Sequence, residues 1–361
     1  MEEKDTILNG WATFENEPEA EDREIITKLL ETIKDQVSDD SVMSEIKDII
    51  IKRVTKVNDQ KLWGLNLEYE DGNNNLNPCV YIQDSIDNIK DSENPDNKYK
   101  SEARKIIDTI EACGKDQPSG AKKIIDIIEF DDLDSFKDNI NIRLVSRKLN
   151  QDFLEDSPYI LFGPDLCGIF YVSCLNETGD NILSIKVTND LMIKFGINLS
   201  MLMQITIDNF LKKEEPIILP IGNVLADMLG GEDNLDDDMK EALREDGEMN
   251  QLVVLTNSES CYGAACIMFR DTLKRASETL NNSNLVILPS SVHEVLAMPT
   301  EETNIEGLVS SGDADNFATM IQEINASSLA PADVLHDQCL FYNASQEVLY
   351  DRHGLRIPFL D

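Results

Sequence analysis

Apolar residues recur along the chain with a period that switches between helical and alternating, and the switches outline its elements. From Asp22 onward Ile25, Ile26, Leu29, Leu30, Ile33 and Val37 fall at steps of three and four, which predicts an amphipathic helix. A β-rich block follows. Residues 48–57 and 61–69 flank the turn-forming run Asn58, Asp59 and Gln60, so they are expected to pair as a hairpin. Residues 78–82 add a third strand, and a helix is expected over 99–112. Strand-like stretches at 126–130 and 140–146 end this half.

Pro158 and Pro164 mark the expected domain boundary. Beyond them residues 169–175 and 182–187 read as a second hairpin, and Thr188 is placed to cap the next helix. Another helix follows Asn198, with Leu202, Ile205, Ile207, Phe210 and Leu211 as its apolar positions. Residues 230–250 are an acidic insertion, expected at the surface. The last third alternates regularly: strands at 252–256, 285–288 and 292–298, helices at 271–280 and 314–325, and a closing hairpin at 339–342 and 347–350. Strand, helix, strand in that order allows one parallel crossover. The pattern therefore predicts an α+β protein with an acidic flexible tail (1–21), an N-terminal α+β domain (22–157) and a C-terminal α+β domain (158–361). Each domain is expected to be a mostly antiparallel or mixed sheet with helices packed on it.

Charge changes this picture more than length does. The 361 residues carry 69 acids against 32 bases, a formal charge of −37. Nucleic acid and anionic membranes would repel such a chain, so neither is an expected partner. No run approaches the roughly 18 apolar residues that span a bilayer. The start, Met1-Glu2-Glu3-Lys4-Asp5, lacks the apolar stretch of a signal peptide, and a cytoplasmic location is expected. The seven cysteines (Cys79, Cys113, Cys167, Cys174, Cys261, Cys266, Cys339) show no paired framework and read as thiols.

Motifs for catalysis are thin. Neither phosphate-cradling glycine pattern occurs. His293-Glu294 opens like a zinc-protease helix, but residue 297 is Ala where the second histidine belongs. Asp71 to Ile82 opens like a calcium loop, with Leu76 where glycine is needed and Ile82 where an acid is needed. No metal or cofactor is expected. Two segments remain: Thr256 to Ala265, holding Asn257, Cys261 and Tyr262, and Leu288 to Glu294, holding Ser290, Ser291, His293 and Glu294. Both lie at expected strand ends, where a cysteine or serine beside a histidine can form a nucleophile and base. Nothing in the sequence orients that histidine, and no glycine-rich elbow surrounds either serine.

The same segments carry a resemblance. Val254-Leu-Thr-Asn257, Gly263-Ala-Ala265, Phe269-Arg-Asp-Thr-Leu273 and Ile287-Leu-Pro-Ser-Ser-Val-His-Glu-Val-Leu296, with matches spread over about 40–350, resemble an uncharacterised family of cytoplasmic proteins from Gram-positive gut anaerobes, a domain of unknown function. The resemblance implies a two-part α+β layout and names no reaction.

Function is therefore expected to lie in binding. Residues 276–351 contain 12 acids and neither lysine nor arginine. Glu301, Glu302 and Glu306 form the densest part of that run, and with Asn257, Tyr262, Ser290, Ser291, His293 and Glu294 they complete the candidate binding set. The expected role is a non-catalytic acidic binding or regulatory protein that engages a basic protein partner. A nucleic-acid mimic and an enzyme working near Asn257 and His293 are the competing readings.

Overall fold

A computed structural model describes residues 5–37, 46–69, 79–115, 133–175, 182–213, 216–228 and 251–361. The acidic insertion at 230–250, the loop at 71–78 and the strand expected at 126–130 lie outside these residues. Contacts group the chain into two compact units. The first comprises Met1–Lys56, Gln60–Phe130 and Cys174–Leu183; the second comprises Val57–Asp59, Asp131–Ser173 and Ser184–Asp361.

The first unit is a five-stranded sheet of β1 (Asp5–Ile7), β2 (Ala12–Phe14), β3 (Ile46–Lys56), β4 (Gln60–Tyr69) and β5 (Cys79–Tyr81), paired in that order. Its helices are α1 (Ala20–Gln36), α2 (Gln83–Lys90) and α3 (Pro95–Lys115). The apolar stripe of α1 is buried as its spacing requires: Ile26, Leu29, Leu30 and Ile33 pack in one core with Ile49, Ile51, Trp63 and Ile107. Part of the expected flexible tail is ordered sheet. Residues 5–7 and 12–14 are strands, and β2 pairs in parallel with β3 at Ala12–Ile49, the one parallel ladder among the described pairs. Three-residue strands are too short for alternation to register, and only pairing, of β2 with β3 and of β1 with β2, makes them visible.

The second unit opens with β6 (Ile140–Ser146), β7 (Tyr159–Phe162), most of β8 (Leu166–Leu175) and most of β9 (Ile182–Lys186), with β8 paired to each of the other three. The expected boundary at 157/158 cuts through this sheet, since Ile140 on β6 pairs with Val172 on β8 and Ser146 with Leu166. The two prolines bracket β7, half of the β7–β8 hairpin, rather than a linker. Two helices follow, α4 (Asn189–Phe195) and α5 (Leu199–Lys213). As expected, the Thr188 side chain caps α4 by accepting from the Leu191 amide.

The remaining strands are β10 (Ile217–Pro220), β11 (Val253–Thr256), β12 (Asn284–Leu288), β13 (Val295–Thr300), β14 (Leu340–Asn343), β15 (Val348–Tyr350) and β16 (Arg356–Ile357). Around them lie α6 (Ile221–Met228), α7 (Arg270–Thr279), α8 (Ile305–Ser311) and α9 (Asp313–Ser327). The sheet order is β10-β11-β13-β12-β14-β15-β16 and every neighbouring pair is antiparallel. The expected crossover exists without a parallel pair. β11 and β12 run the same way through α7, but β13 sits between them and hydrogen-bonds to both.

The turn Val57–Asp59 bonds within the second unit. Asn58 has a left-handed backbone (φ 58°) and is buried. Its amide donates to Asn150 Oδ1 at 2.7 Å, and Asn150 Nδ2 donates back to Asn58 Oδ1 at 2.7 Å. Asn58 Nδ2 reaches the carbonyls of Pro331 and Val334, the two residues on either side of the Ala332-Asp333 step. No single helix among the described residues is long and apolar enough to cross a membrane.

Candidate functional site

The end of β11 and the start of β13 bring the two candidate segments together. After Thr256 the chain makes a tight loop that Asn257 closes on itself: its Nδ2 donates to the Cys261 carbonyl at 2.9 Å and its Oδ1 accepts the Cys261 amide at 3.2 Å. Both polar ends of Asn257 are thus spent on the loop. Ser260 (φ 50°) and Tyr262 (φ 55°) sit in the left-handed region, which costs a residue with a Cβ about 1 kcal/mol or more. Gly263 follows where a Cβ would stand 2.2 Å from Thr256 Oγ1 and 2.8 Å from the His293 carbonyl, so only glycine fits. The expected close backbone packing at Gly263 is what the structure has.

Across this contact lies the turn before β13. Thr256 Oγ1 donates to the His293 carbonyl at 2.9 Å, and the Ser291 hydroxyl accepts the His293 amide at 3.0 Å. Ser291 also bridges to Val334, with the Leu335 amide on the Ser290 carbonyl at 2.8 Å. These bonds start β13 at Val295, three residues later than its apolar pattern suggests. The His293 ring is held at both nitrogens: Nδ1 accepts the Tyr262 amide at 3.2 Å, so in the neutral ring Nε2 carries the proton, directed at Asp333 Oδ1 3.2 Å away. Asp333 is the orienting group that the sequence did not reveal, 40 residues downstream.

Beneath the loop is a second feature that went unread. Arg143, in the middle of β6, is only 7% exposed. Its guanidinium carbon lies 3.7 Å from the ring centre of Tyr171 and 3.7 Å from that of Tyr262. Nη2 donates to Ser184 Oγ at 2.7 Å. Burial pulls the guanidinium below its usual pKa, while the two tyrosines and Cys261 oppose the shift. Tyr171 is pushed up by its own burial, against the pull of Arg143. The Tyr262 ring continues the stack to His293, with ring centres 5.2 Å apart. The result is a continuous series, Tyr171–Arg143–Tyr262–His293–Asp333, that runs from a buried cation to a carboxylate 37% exposed. A lone arginine between Ile142 and Leu144 in a strand was the available sign, since a charge in an apolar run must find partners inside the fold.

The chemistry of this series is that of a fixed scaffold. Burial pushes the Cys261 thiol up, outweighing the attraction of Arg143, and so disfavours the thiolate a nucleophile requires. Ser291 bonds to the backbone amide of His293 and not to its ring. Among the described residues no group of three His, Cys, Asp or Glu could hold a metal ion.

The candidate set divides in two. Asn257, Tyr262, Ser291 and His293 converge in this series, while Ser290 contributes its carbonyl and Glu294 is half-buried beside it. Glu301, Glu302 and Glu306 lie at the opposite end of β13, six residues or about 20 Å away. There the space left by Gly307 holds the Glu302 carboxylate, and Asn304 caps α8 by accepting the Gly307 amide at 2.8 Å. Two acids of the base-free run find cations just outside it: Glu347 pairs with Lys274 at 3.1 Å and Asp315 with Arg352 at 2.7 Å.

A family of unknown function (DUF5688) matches the chain over residues 25–344, and the chain belongs to it. No curated protein and no solved structure matches the chain.

Proposed function

We propose that this member of a family of unknown function is a non-catalytic binding protein whose acidic face docks a basic segment of a partner protein. The observation that carries the reading is the charge of residues 301–327, which hold Glu301, Glu302, Glu306, Asp313, Asp315 and Glu323 and no lysine or arginine. Among the described residues Asp315 alone of these six has a cationic partner. Between the acids, Val309 on α8 and Met320 on α9 are 43% and 38% exposed, which offers apolar contact to an amphipathic basic helix. The occupied ring nitrogens of His293 and the raised Cys261 thiol support the non-catalytic side of the reading. A cytoplasmic location fits the described cysteines, Cys79, Cys167, Cys261, Cys266 and Cys339, all of which are free.

The test uses the full chain and a labelled amphipathic Lys/Leu peptide, with oligolysine of equal charge as control. Binding should favour the amphipathic peptide and weaken as salt screens the contact over a Debye length of about 8 Å at physiological strength. Neutralising three rim acids together (E301Q, E302Q and E306Q) should weaken it ~5-fold or more, about 1 kcal/mol. Binding that ignores salt, or that survives the triple substitution unchanged, overturns the reading.

A further inference from the structure

A groove of about 410 Å³ in the second unit is lined by Arg147, Lys148, Gln151, Leu154, Tyr159, Pro164 and Asp165. Its size is that of a small-molecule site. Its charge runs against the chain: two bases to one acid in the lining, where the whole protein has more than two acids to each base. In this unit Lys137, Lys186, Lys274, Arg275 and Arg352 stand in ion pairs, whereas Arg147 and Lys148, like Arg270 and Arg356, pair with no carboxylate among the described residues. Two adjacent cations are thus left to face solvent in a protein with acids to spare.

The backbone that carries them is rigid. Asn150 is fully buried, and its Nδ2 holds the Ser146 carbonyl at 2.7 Å. The Ser146 hydroxyl accepts the Leu149 amide, and the Arg147 amide donates to the Asp165 carbonyl at 2.8 Å. Arg147 and Lys148 therefore project from a fixed turn, which lowers the ordering cost of binding. Leu154, Tyr159 and Pro164 supply an apolar and aromatic wall beside them.

We propose that this groove binds a small aromatic phosphate monoester. The dianionic head matches two cations where a carboxylate needs one, the guanidinium fork of Arg147 suits phosphate oxygens, and the ring lies against Tyr159 and Pro164. The groove shares no lining residue with the acidic run 301–327, and the assignment does not depend on that run.

Equilibrium dialysis of the full chain with phenyl phosphate, inorganic phosphate and benzoate tests the assignment. Phenyl phosphate should bind saturably and more tightly than either fragment. R147Q and K148Q, both exposed substitutions, should each weaken it ~10-fold, the worth of one charge-assisted contact. Y159A should remove the preference for phenyl phosphate over inorganic phosphate. Far-UV circular dichroism checks that each variant folds. The proposal is overturned by the absence of saturable binding, by equal binding of inorganic phosphate or benzoate, or by binding that R147Q and K148Q leave unchanged.

Discussion

Replacing Arg143 tests whether the buried cation is held by its shape or merely by its charge. Arg143→Lys keeps a positive charge at a site 7% exposed, and with it a desolvation penalty of several kcal/mol. The planar fork is lost. Each ring face 3.7 Å from the guanidinium carbon contributes about 1 to 2 kcal/mol when desolvated, and an ammonium cannot sit flat between both. To keep the bond to Ser184, the shorter lysine side chain would have to reach the oxygen that Arg143 Nη2 reaches. The expected loss is about 3 kcal/mol. Arg143→Met behaves differently, because it removes the desolvation penalty together with the charge. What remains is the orphaned Ser184 hydroxyl and imperfect packing, about 1 to 2 kcal/mol. The prediction is thus an inverted order, with the charge-conserving substitution the worse of the two. Urea unfolding of the full chain, followed by far-UV circular dichroism, measures both midpoints and checks that the slope is unchanged. A lysine variant within about 0.5 kcal/mol of the wild type, or less destabilised than the methionine variant, would refute the stacking argument.

Two further predictions concern the second unit. Asn58→Ala should destabilise by about 1 kcal/mol more than Asn58→Gly, although both remove the same bonds to Asn150, Pro331 and Val334, because only alanine is strained at φ 58°; equal losses in urea melts would show that the left-handed turn is not retained. His336 is buried, and burial lowers its pKa from the ordinary 6.5, despite Asp337, Asp165 and Asp351 nearby. The unfolded chain then takes up a proton that the folded one refuses, so stability should fall as pH drops below 6.5 toward the folded value, by at most about 1.4 kcal/mol per pH unit. Melting curves of His336→Gln should lack this component, and parallel pH profiles for variant and wild type would contradict it.

What could be read from the sequence was whatever repeats locally. The α1 stripe, the hairpin around Asn58, the Thr188 cap and the closing β14–β15 hairpin each depend on residues within a few positions, and each formed as expected. The strands β1, β2 and β10 are three or four residues long and owe their existence to distant partners, so no local period announces them. The boundary at Pro158 failed for a related reason. Proline reports a local break in the backbone, whereas the partnership of β6 with β8 is settled across some 20 intervening residues. At the site, the meeting of Tyr262 with His293 followed from strand ends that the pattern had placed. Arg143 and Asp333 did not, since one comes from another sheet and the other from the segment after α9.

The place of β13 in its sheet also sets an order of assembly. β11 and β12 leave a gap one strand wide between them, and β13 is made after both. Until residues 295–300 arrive, two apolar strands each present an open edge, Val253 to Leu255 on one side and Leu285 to Leu288 on the other. Such edges recruit other strands readily, so synthesis of this protein passes through an interval of exposure to aggregation that narrows when β13, the last made of these three strands, drops between the other two. A chain cut between β12 and β13 would stay in that interval permanently. The same insertion raises the sequence separation of the central contacts, which slows folding relative to a simple meander of equal size.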